Sequence, residues 1–323
     1  MCTAVTYQTK DHYFGRNLDL EYGYQEQVVI TPRDFVFHFR RLPPMEHHYA
    51  MIGMATIADN YPLYYDATNE HGLSIAALNF PYSCKYMPED ICKNNLAPFE
   101  LIPWLLGNCQ TAEEAVNKMK SANLIDLSFS NVYPVTALHW FLADNTQTIV
   151  IEQTEAGLQV FENPVGVLTN EPTFPFHMTN LQTYLNITNE EATNRIAPSL
   201  PLKAYSRGIG GLGLPGDLSS VSRFVKAAFT KLNSVSKDSE SASVSQMFHI
   251  LGSVAQQQGC VKIGHLYEKT IYTSCCNATK GIYYYTTYEN HQITGVRLHG
   301  TNLNSDILIH YPLIQGQQFR MEN

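Results

Sequence analysis

The second residue of this chain of 323 residues is a cysteine, Cys2. If Met1 is removed, Cys2 carries both a thiol and a free α-amine. The pKa of an α-amine is about 7.7–8.0, so near neutral pH this amine can take the proton of the thiol. One residue would then supply both nucleophile and general base, as an N-terminal threonine does. The alternative is a structural role, in which Cys2 is a small buried residue on the first strand.

Two charged residues follow that could tune such a thiol. Two alternating stretches separated by the turn Lys10-Asp11 predict a hairpin in which Asp19 lies opposite Cys2, with Arg16 nearby. A guanidinium near the sulfur favours the thiolate, and a carboxylate can orient the amine. The hairpin therefore predicts a cysteine prepared for acyl transfer.

Acyl transfer also needs hydrogen-bond donors for a developing oxyanion, and two asparagines are candidates. Asn79 and Asn170 each end a predicted strand, in "ALNFP" and "VLTNEP". Taken alone, an asparagine before such a turn is ordinary turn chemistry. Arg223 lies on a predicted helix capped by Ser219 or Ser220. The side chain of an arginine on such a helix usually points into solvent.

The periodicity of the chain predicts blocks of antiparallel strands with helices grouped between them. Strands dominate the first eighty residues, and two helices follow, one beginning near Pro98 and one capped by Thr111. Strands are predicted again within residues 138–170 and 270–300, and helices within residues 173–185, 220–232 and 243–254. This order differs from the βαβα alternation of a doubly wound sheet. We predict one α+β domain spanning residues 1–323.

Composition excludes several classes of function. A net charge of −8 and a pI near 5.8 argue against nucleic acid as a partner. The N-terminus lacks the features of a signal peptide, and no apolar stretch approaches roughly 18 residues, so we expect a cytoplasmic protein without a membrane span. The seven cysteines include no C-x-x-C pair and the histidines are scattered, so we expect reduced thiols, no metal and no cofactor.

A glycine-rich stretch formally matches a nucleotide-binding fingerprint. Gly208, Gly210 and Gly213 have G-x-G-x-x-G spacing, but no strand precedes them and Pro215 follows. A fingerprint of this kind depends on a strand–turn–helix context. We therefore predict a surface or pocket loop.

Seven segments together resemble the choloylglycine hydrolase family of the N-terminal-nucleophile hydrolases, which includes bile salt hydrolases and penicillin V acylases. The segments span the chain essentially end to end: "MCTAV", "FGRNLDLEY", "GLSIAALNFP", "LHWFLAD", "GVLTNEPTF", "GLPGDLSSVSRF" and "YTSCCNATKGIYYYTTYEN". The resemblance implies a four-layer αββα sandwich, with two antiparallel sheets between helical layers. It also implies a homo-oligomer, usually a tetramer and sometimes a dimer, that needs no cofactor or metal.

The resemblance assigns roles to six positions. They are Cys2, Arg16, Asp19, Asn79, Asn170 and Arg223. It implies that Cys2 is the nucleophile once Met1 is removed, with Arg16 and Asp19 as the charged pair beside its thiol. It further implies an oxyanion hole made by the backbone N–H of Asn79 and the side-chain amide of Asn170, with Arg223 completing the site.

The same resemblance suggests the substrate. "LNFP" around Asn79 is similar to the bile salt hydrolase form, whereas penicillin V acylases tend to have a tyrosine there. The implied reaction is hydrolysis of the amide that joins a steroid acid to glycine or taurine, through a thioester on Cys2. We expect the steroid to lie on loop residues, namely Tyr22, Tyr24, Ile57, Leu63, Val135 and Ala137.

Arg207 is a candidate for the amino-acid end of the substrate. Its guanidinium could pair with a sulfonate or carboxylate, which would predict some preference for taurine. The alternative is a solvated loop residue.

Two other functions are also compatible with the sequence. A penicillin V acylase would share the catalytic residues and differ in the acyl pocket. A carrier of amphipathic acids would bind without cleaving, and Cys2 would then be structural.

Overall fold

Seventeen β-strands and five α-helices make up the computed structural model, which describes residues 1–323. The strands are β1 (Cys2–Gln8), β2 (His12–Leu20), β3 (Gln27–Thr31), β4 (Met51–Ala58), β5 (Tyr61–Asn69), β6 (Ser74–Asn79), β7 (Asn94–Leu96), β8 (Ala122–Leu124), β9 (Leu138–Ala143), β10 (Thr148–Thr154), β11 (Gly157–Glu162), β12 (Val167–Leu168), β13 (Val261–Ile263), β14 (Leu266–Asn277), β15 (Ile282–Thr287), β16 (Asn290–Arg297) and β17 (Ile309–Pro312). The helices are α1 (Leu101–Asn108), α2 (Ala112–Met119), α3 (Phe174–Leu181), α4 (Ser220–Asn233) and α5 (Glu240–Gly252). None of these helices has the length and apolar character that crossing a bilayer requires.

Two antiparallel sheets contain most of the strands. The first sheet has the order β12-β1-β2-β14-β15-β16, with β13 beside β14. The second sheet has the order β11-β10-β9-β6-β5-β4-β3-β17, and β7 and β8 form a separate parallel pair. Strand β1 lies between β12 and β2, so the first residues of the chain belong to the interior of a sheet.

The two sheets pack face to face because apolar side chains alternate along their strands. Phe14 of β2 and Phe141 of β9 stack across the interface, with ring centroids 5.4 Å apart. Helices α4 and α5 cover the outer face of the first sheet, and α1 and α2 cover that of the second. The layers follow the order helix, sheet, sheet, helix, so the αββα sandwich expected from the sequence is confirmed.

Capping signals place the starts of α2 and α4 where the sequence predicts them, whereas α5 begins at Glu240, before the predicted residue 243. Ser219 caps α4 by accepting a hydrogen bond from the backbone N–H of Ser222, and Thr111 caps α2 in the same way. Pro98 begins a short 3₁₀ turn that leads into α1. The cap at Ser219 directs the first turns of α4 towards β1 and thereby positions Arg223.

The register of the β1–β2 hairpin differs from the predicted one by one residue. Gln8 pairs with His12, and the N–H of Thr9 donates to the carbonyl of Asp11 at 3.0 Å. The turn therefore has three residues, 9–11, rather than the two assumed from Lys10-Asp11.

This extra turn residue changes which side chains share a face. Cys2 pairs with Leu18 instead of Asp19. A shift of one residue moves a side chain to the opposite face of a sheet. Cys2 thus shares a face with Arg16, while Asp19 points to the other face, so the predicted pairing of Asp19 with Cys2 is wrong.

A second difference concerns Ile57 and Leu63, which we expected on a loop. They lie at the tip of the β4–β5 hairpin, and its turn residues Asp59 and Asn60 have φ angles of 48° and 57°. Two successive left-handed residues are the signature of a type I′ hairpin turn. The segment is therefore regular structure.

Gly15 is required where β2 pairs with β14. A Cβ atom at this position would lie 2.1 Å from the backbone oxygen of Ser274. We expect Gly15→Ala to lower the free energy of unfolding by about 2 kcal/mol, because the backbones must separate. Urea denaturation checks this. The matched control is Gly252→Ala at the exposed end of α5, where a Cβ meets nothing within 4 Å; equal destabilisation of the two variants would contradict the prediction.

Candidate active site

Cys2 lies at the start of β1, at the polar end of a cleft of about 450 Å³. Only 2% of the residue is exposed to solvent. Its Sγ accepts a hydrogen bond from Nη2 of Arg16 at 2.7 Å. A guanidinium at this distance stabilises the thiolate, which is the nucleophilic form of cysteine.

Arg16 is fully buried and joins the two sheets. Its Nη1 donates to the carbonyl oxygens of Tyr65 on β5 at 2.9 Å and Ala77 on β6 at 2.6 Å. Burial alone would lower the pKa of the Arg16 guanidinium, but the Cys2 thiolate and the buried Asp66 carboxylate hold that pKa above its ordinary value. The guanidinium therefore stays charged beside the sulfur.

Asn170 connects the Cys2 backbone to the end of β6. Its Oδ1 accepts from the Cys2 backbone nitrogen at 2.7 Å, and its Nδ2 donates to the carbonyl oxygen of Asn79 at 2.8 Å. The backbone N–H of Asn170 donates to Oγ of Ser220 on α4 at 2.8 Å. The amide is thus fixed in one orientation beside the thiol.

Arg223 occupies the opposite side of Cys2 from Arg16. It is also fully buried, and it donates to the Cys2 carbonyl at 2.5 Å, to Oγ1 of Thr3 at 2.6 Å and to Oδ1 of Asn170 at 2.8 Å. Burial lowers the pKa of Arg223. These contacts make Arg223 a support for the main chain of Cys2 and for the Asn170 amide, rather than the solvated residue that a helix position alone suggests.

Asp19 lies behind this group. Its Oδ1 accepts from Oγ1 of Thr270 at 2.6 Å, and its Oδ2 lies 4.0 Å from Nη1 of Arg223. Burial raises the pKa of the Asp19 carboxyl, an effect that Arg223 opposes. The backbone carbonyl of Asp19 accepts from the Met1 ammonium at 2.7 Å, and that ammonium also contacts the buried carboxylate of Glu268.

The rest of the cleft is mainly apolar. Among the residues expected to hold a steroid, Tyr22, Tyr24, Leu63 and Val135 line it. The other lining residues include Leu18, Leu20, Pro98, Phe99, Ile102, Leu127, Phe129, Val132, Tyr133, Pro134 and Leu138. A mainly apolar cleft with a few polar groups, among them Cys2 and Arg16, suits an amphipathic ligand.

Three expected contact residues do not line the cleft. Thr56 faces it, so the next residue on β4, Ile57, points to the other side of the sheet. Ala137 lies between Thr136 and Leu138, which both line the cleft, but Ala137 itself does not. Arg207 is exposed on the glycine-rich loop, away from the cleft residues.

That glycine-rich loop contains a short 3₁₀ turn, Ile209–Gly211, preceded by Gly208 in the left-handed region. No strand leads into it. The predicted loop is confirmed. No group of three or more His, Cys, Asp or Glu side chains is arranged to hold a metal ion.

Sequence reasoning missed several supporting residues. Glu171 accepts hydrogen bonds at 2.8 Å from the backbone N–H groups of Tyr82 and Ser83, so it ties the segment after Asn79 to the segment after Asn170. The acidic residue next to Asn170 in "TNEP" was the available signal. Ser220 and Thr270 gave no such signal in the sequence, since serine and threonine are common in segments of this kind.

The αββα sandwich, with a cysteine at the start of its first strand, defines the N-terminal-nucleophile hydrolase class. Residues 2–311 match the linear amide C–N hydrolases of the choloylglycine hydrolase family. The chain is 51% identical over 324 residues to the bile salt hydrolase/transferase of Lactiplantibacillus plantarum, covering 100% of both chains. It is 39% identical to the bile salt hydrolase/transferase of Clostridium perfringens, covering 95% of each. The chain therefore belongs to the choloylglycine hydrolase family.

Solved structures agree with this assignment. A mutant of the conjugated bile acid hydrolase from Clostridium perfringens matches with a TM-score of 0.93 and 37% identity, covering 100% of both chains. The penicillin V acylase of Agrobacterium tumefaciens matches with a TM-score of 0.77 over 97% of this chain and 92% of its own, at 17% identity, which supports the fold alone. The family resemblance seen in the sequence is confirmed.

The contact between Arg16 and the sulfur predicts an effect on thiol reactivity. We expect Arg16→Met to slow alkylation of Cys2 by iodoacetamide at pH 7 about tenfold, because the charge-assisted hydrogen bond that stabilises the reactive thiolate is lost. Peptide mass spectrometry over a pH series checks this. The exposed thiols of Cys92 and Cys260 in the same molecule are the internal control. An unchanged ratio of Cys2 to Cys92 labelling would refute the effect.

Proposed function

We propose that this chain is a bile salt hydrolase, which cleaves the amide bond between a steroid acid and glycine or taurine. The observation that carries the proposal is the apolar cleft ending at the Cys2–Arg16 pair. A steroid acyl group fits the apolar walls, and its amide carbonyl would then lie beside the sulfur. Relatives that match over nearly their full lengths are named bile salt hydrolase/transferase and conjugated bile acid hydrolase, which supports this choice.

The proposal includes removal of Met1. The Cys2 nitrogen is an amide in the chain that retains Met1, and it donates to Oδ1 of Asn170 at 2.7 Å. After removal, the same nitrogen is an α-amine that keeps this acceptor. Its pKa near neutrality suits a general base, since the free amine can take the thiol proton and later return it.

The reaction then takes two steps. The thiolate of Cys2 attacks the amide carbonyl carbon while the α-amine holds the thiol proton. The tetrahedral intermediate collapses by breaking the C–N bond, and the α-ammonium gives its proton to the departing amine of glycine or taurine. Water next attacks the thioester with the α-amine as base, and the acid leaves as the thiol is restored.

We assign the oxyanion hole to Asn79 and Asn170. Asn79 lines the cleft beside Cys2, and its backbone N–H is the first donor. One proton of the Asn170 Nδ2 group is used by the Asn79 carbonyl, so the second is free to donate to the oxyanion. Donors fixed before the reaction stabilise developing charge without reorganisation. Arg16 stabilises the thiolate, Arg223 holds the Cys2 backbone, and Asp19 supports Arg223 from behind.

We further propose a cytoplasmic homo-oligomer, either a tetramer or a dimer, that acts without a cofactor. Large apolar side chains are exposed along one irregular region, which supports association between copies. They are Leu185, Ile196, Leu200, Leu202, Tyr205 and Leu212. Light scattering coupled to size exclusion measures the number of copies.

The first test combines intact mass with amino-acid release. We expect purified protein to lack Met1 and to release taurine from taurocholate and glycine from glycocholate. Cys2→Ala should abolish release, because Cys2 is the only thiol among the residues that line the cleft, whereas Cys92→Ala at an exposed site should be fully active. Activity with Met1 retained would refute the amine as base.

Two other outcomes distinguish the alternatives. Release of phenoxyacetic acid from penicillin V, with no release from bile salts, would indicate a penicillin V acylase. Tight binding of bile salts without cleavage, equal in wild type and Cys2→Ala, would indicate a carrier.

The second test concerns the oxyanion hole. We expect Asn170→Ala to lower kcat by about 100-fold or more, because one donor to the oxyanion is lost. Steady-state kinetics with glycocholate measures this, and Asn233→Ala, at the exposed end of α4, is the control. A loss confined to KM would contradict the assignment of Asn170 to the transition state.

A further inference from the structure

One wall of the cleft is an irregular segment of residues 127–136, called here the strap. It contributes seven of the 23 residues that line the cleft, yet no helix or strand includes it. Within the strap, the backbone N–H of Ser130 donates to the carbonyl oxygen of Tyr133 at 3.2 Å. A segment of this kind needs contacts from outside to keep one conformation.

Arg40 supplies such a contact from the side away from Cys2. Its Nη2 donates to the backbone oxygen of Phe129, in the strap, at 2.8 Å. Its guanidinium carbon lies 5.2 Å from the ring centroid of Phe129 and 5.9 Å from that of Phe99. Both distances are within the range of cation–π attraction. One side chain thus holds the main chain and the ring of Phe129.

A buried carboxylate fixes the position of Arg40 itself. The backbone N–H of Arg40 donates to Oε1 of Glu100 at 2.6 Å, and Oε2 of Glu100 accepts from the N–H of Ala97 at 2.8 Å. Glu100 has no solvent exposure. Since the backbone of Arg40 makes this bond, replacing the Arg40 side chain leaves the bond in place.

The rings held by Arg40 separate two spaces. Phe99 and Phe129 pack edge to face with centroids 5.3 Å apart, and both line the cleft. Both also line a second cavity of about 420 Å³, whose other residues include His38, Asp59 and Asp306. Movement of Phe129 would therefore join the apolar cleft to a space with a more polar lining.

We propose that Arg40 is a positioning residue that determines specificity for the acyl group, by holding the Phe129 wall closed at the end of the cleft. The proposal rests on the proposed hydrolase function. None of the hydrogen bonds of Arg40 reaches Cys2, Asn79 or Asn170. Arg40 therefore acts on binding of the steroid and leaves the bond-breaking step and the amino-acid end unaffected.

The test compares Arg40→Met with its parent. Methionine retains apolar volume and removes the charge and the hydrogen bond to Phe129. We expect KM to rise about fivefold for glycocholate and taurocholate alike, with kcat unchanged, because substrate binding must then order a strap that the lost hydrogen bond no longer fixes, at a cost similar to the net contribution of that bond. In a Cys2→Ala background, calorimetry should give the same loss of affinity for glycocholate.

Selectivity gives a second readout that a general loss of stability would not move. The ratio of kcat/KM between glycocholate and glycodeoxycholate should change, since these differ in the steroid. The ratio between glycocholate and taurocholate should stay constant, since these differ only in the amino acid. Arg40→Lys, which keeps a charge over the rings, should fall between the parent and Arg40→Met.

Arg41→Met is the matched control, because this neighbouring guanidinium contacts Glu89 and the Arg40 carbonyl but neither phenylalanine. It should behave like the parent. Suppose that the parent is active and that folded Arg40→Met shows the same KM and the same ratio of kcat/KM between glycocholate and glycodeoxycholate. This result would overturn the role of Arg40 and leave the proposed hydrolase function standing. A parent that hydrolyses no bile salt would overturn the proposed function and this role together.

Discussion

The buried guanidinium of Arg16 is the interaction on which the geometry of the site depends. It contacts the sulfur of Cys2 from the first sheet and two carbonyls, of Tyr65 and Ala77, from the second. A buried cation that loses its partners costs several kcal/mol, so the fold must keep these contacts together. The thiol is consequently oriented by the packing of the two sheets and not by a loop.

The same reasoning extends to Asn170. Two donors, the Cys2 nitrogen and Arg223, point at its Oδ1, so its amide has only one orientation that satisfies both. The Nδ2 group must then face Asn79 and the cleft. Arg16 thus fixes the position of the sulfur, and Arg223 fixes the orientation of the Asn170 amide. Each contact is kept because a buried guanidinium without partners is costly.

Local features of the fold could be predicted from the sequence because they depend on neighbouring residues. The hairpin after Cys2 and the cap at Ser219 are of this kind, and the αββα order followed from the family resemblance. The register of the hairpin could not be predicted, since it depends on one backbone bond from Thr9 to Asp11. The carbonyl partners of Arg16 could not be predicted either. Every residue has a backbone carbonyl, so the sequence does not indicate which of them a side chain will contact.

The setting of Met1 has a consequence for the timing of its removal. Its ammonium contacts Glu268, a residue of β14, the strand that pairs with β2. The ribosome makes Glu268 267 residues after Met1, which at about 5–20 residues per second leaves roughly 13–53 s. During that interval the N-terminus has no β14 to hold it and is open to an aminopeptidase. Under the proposed mechanism, a chain that completes the first sheet before trimming would keep its Cys2 nitrogen acylated, so synthesis rate and peptidase supply would together set the active fraction.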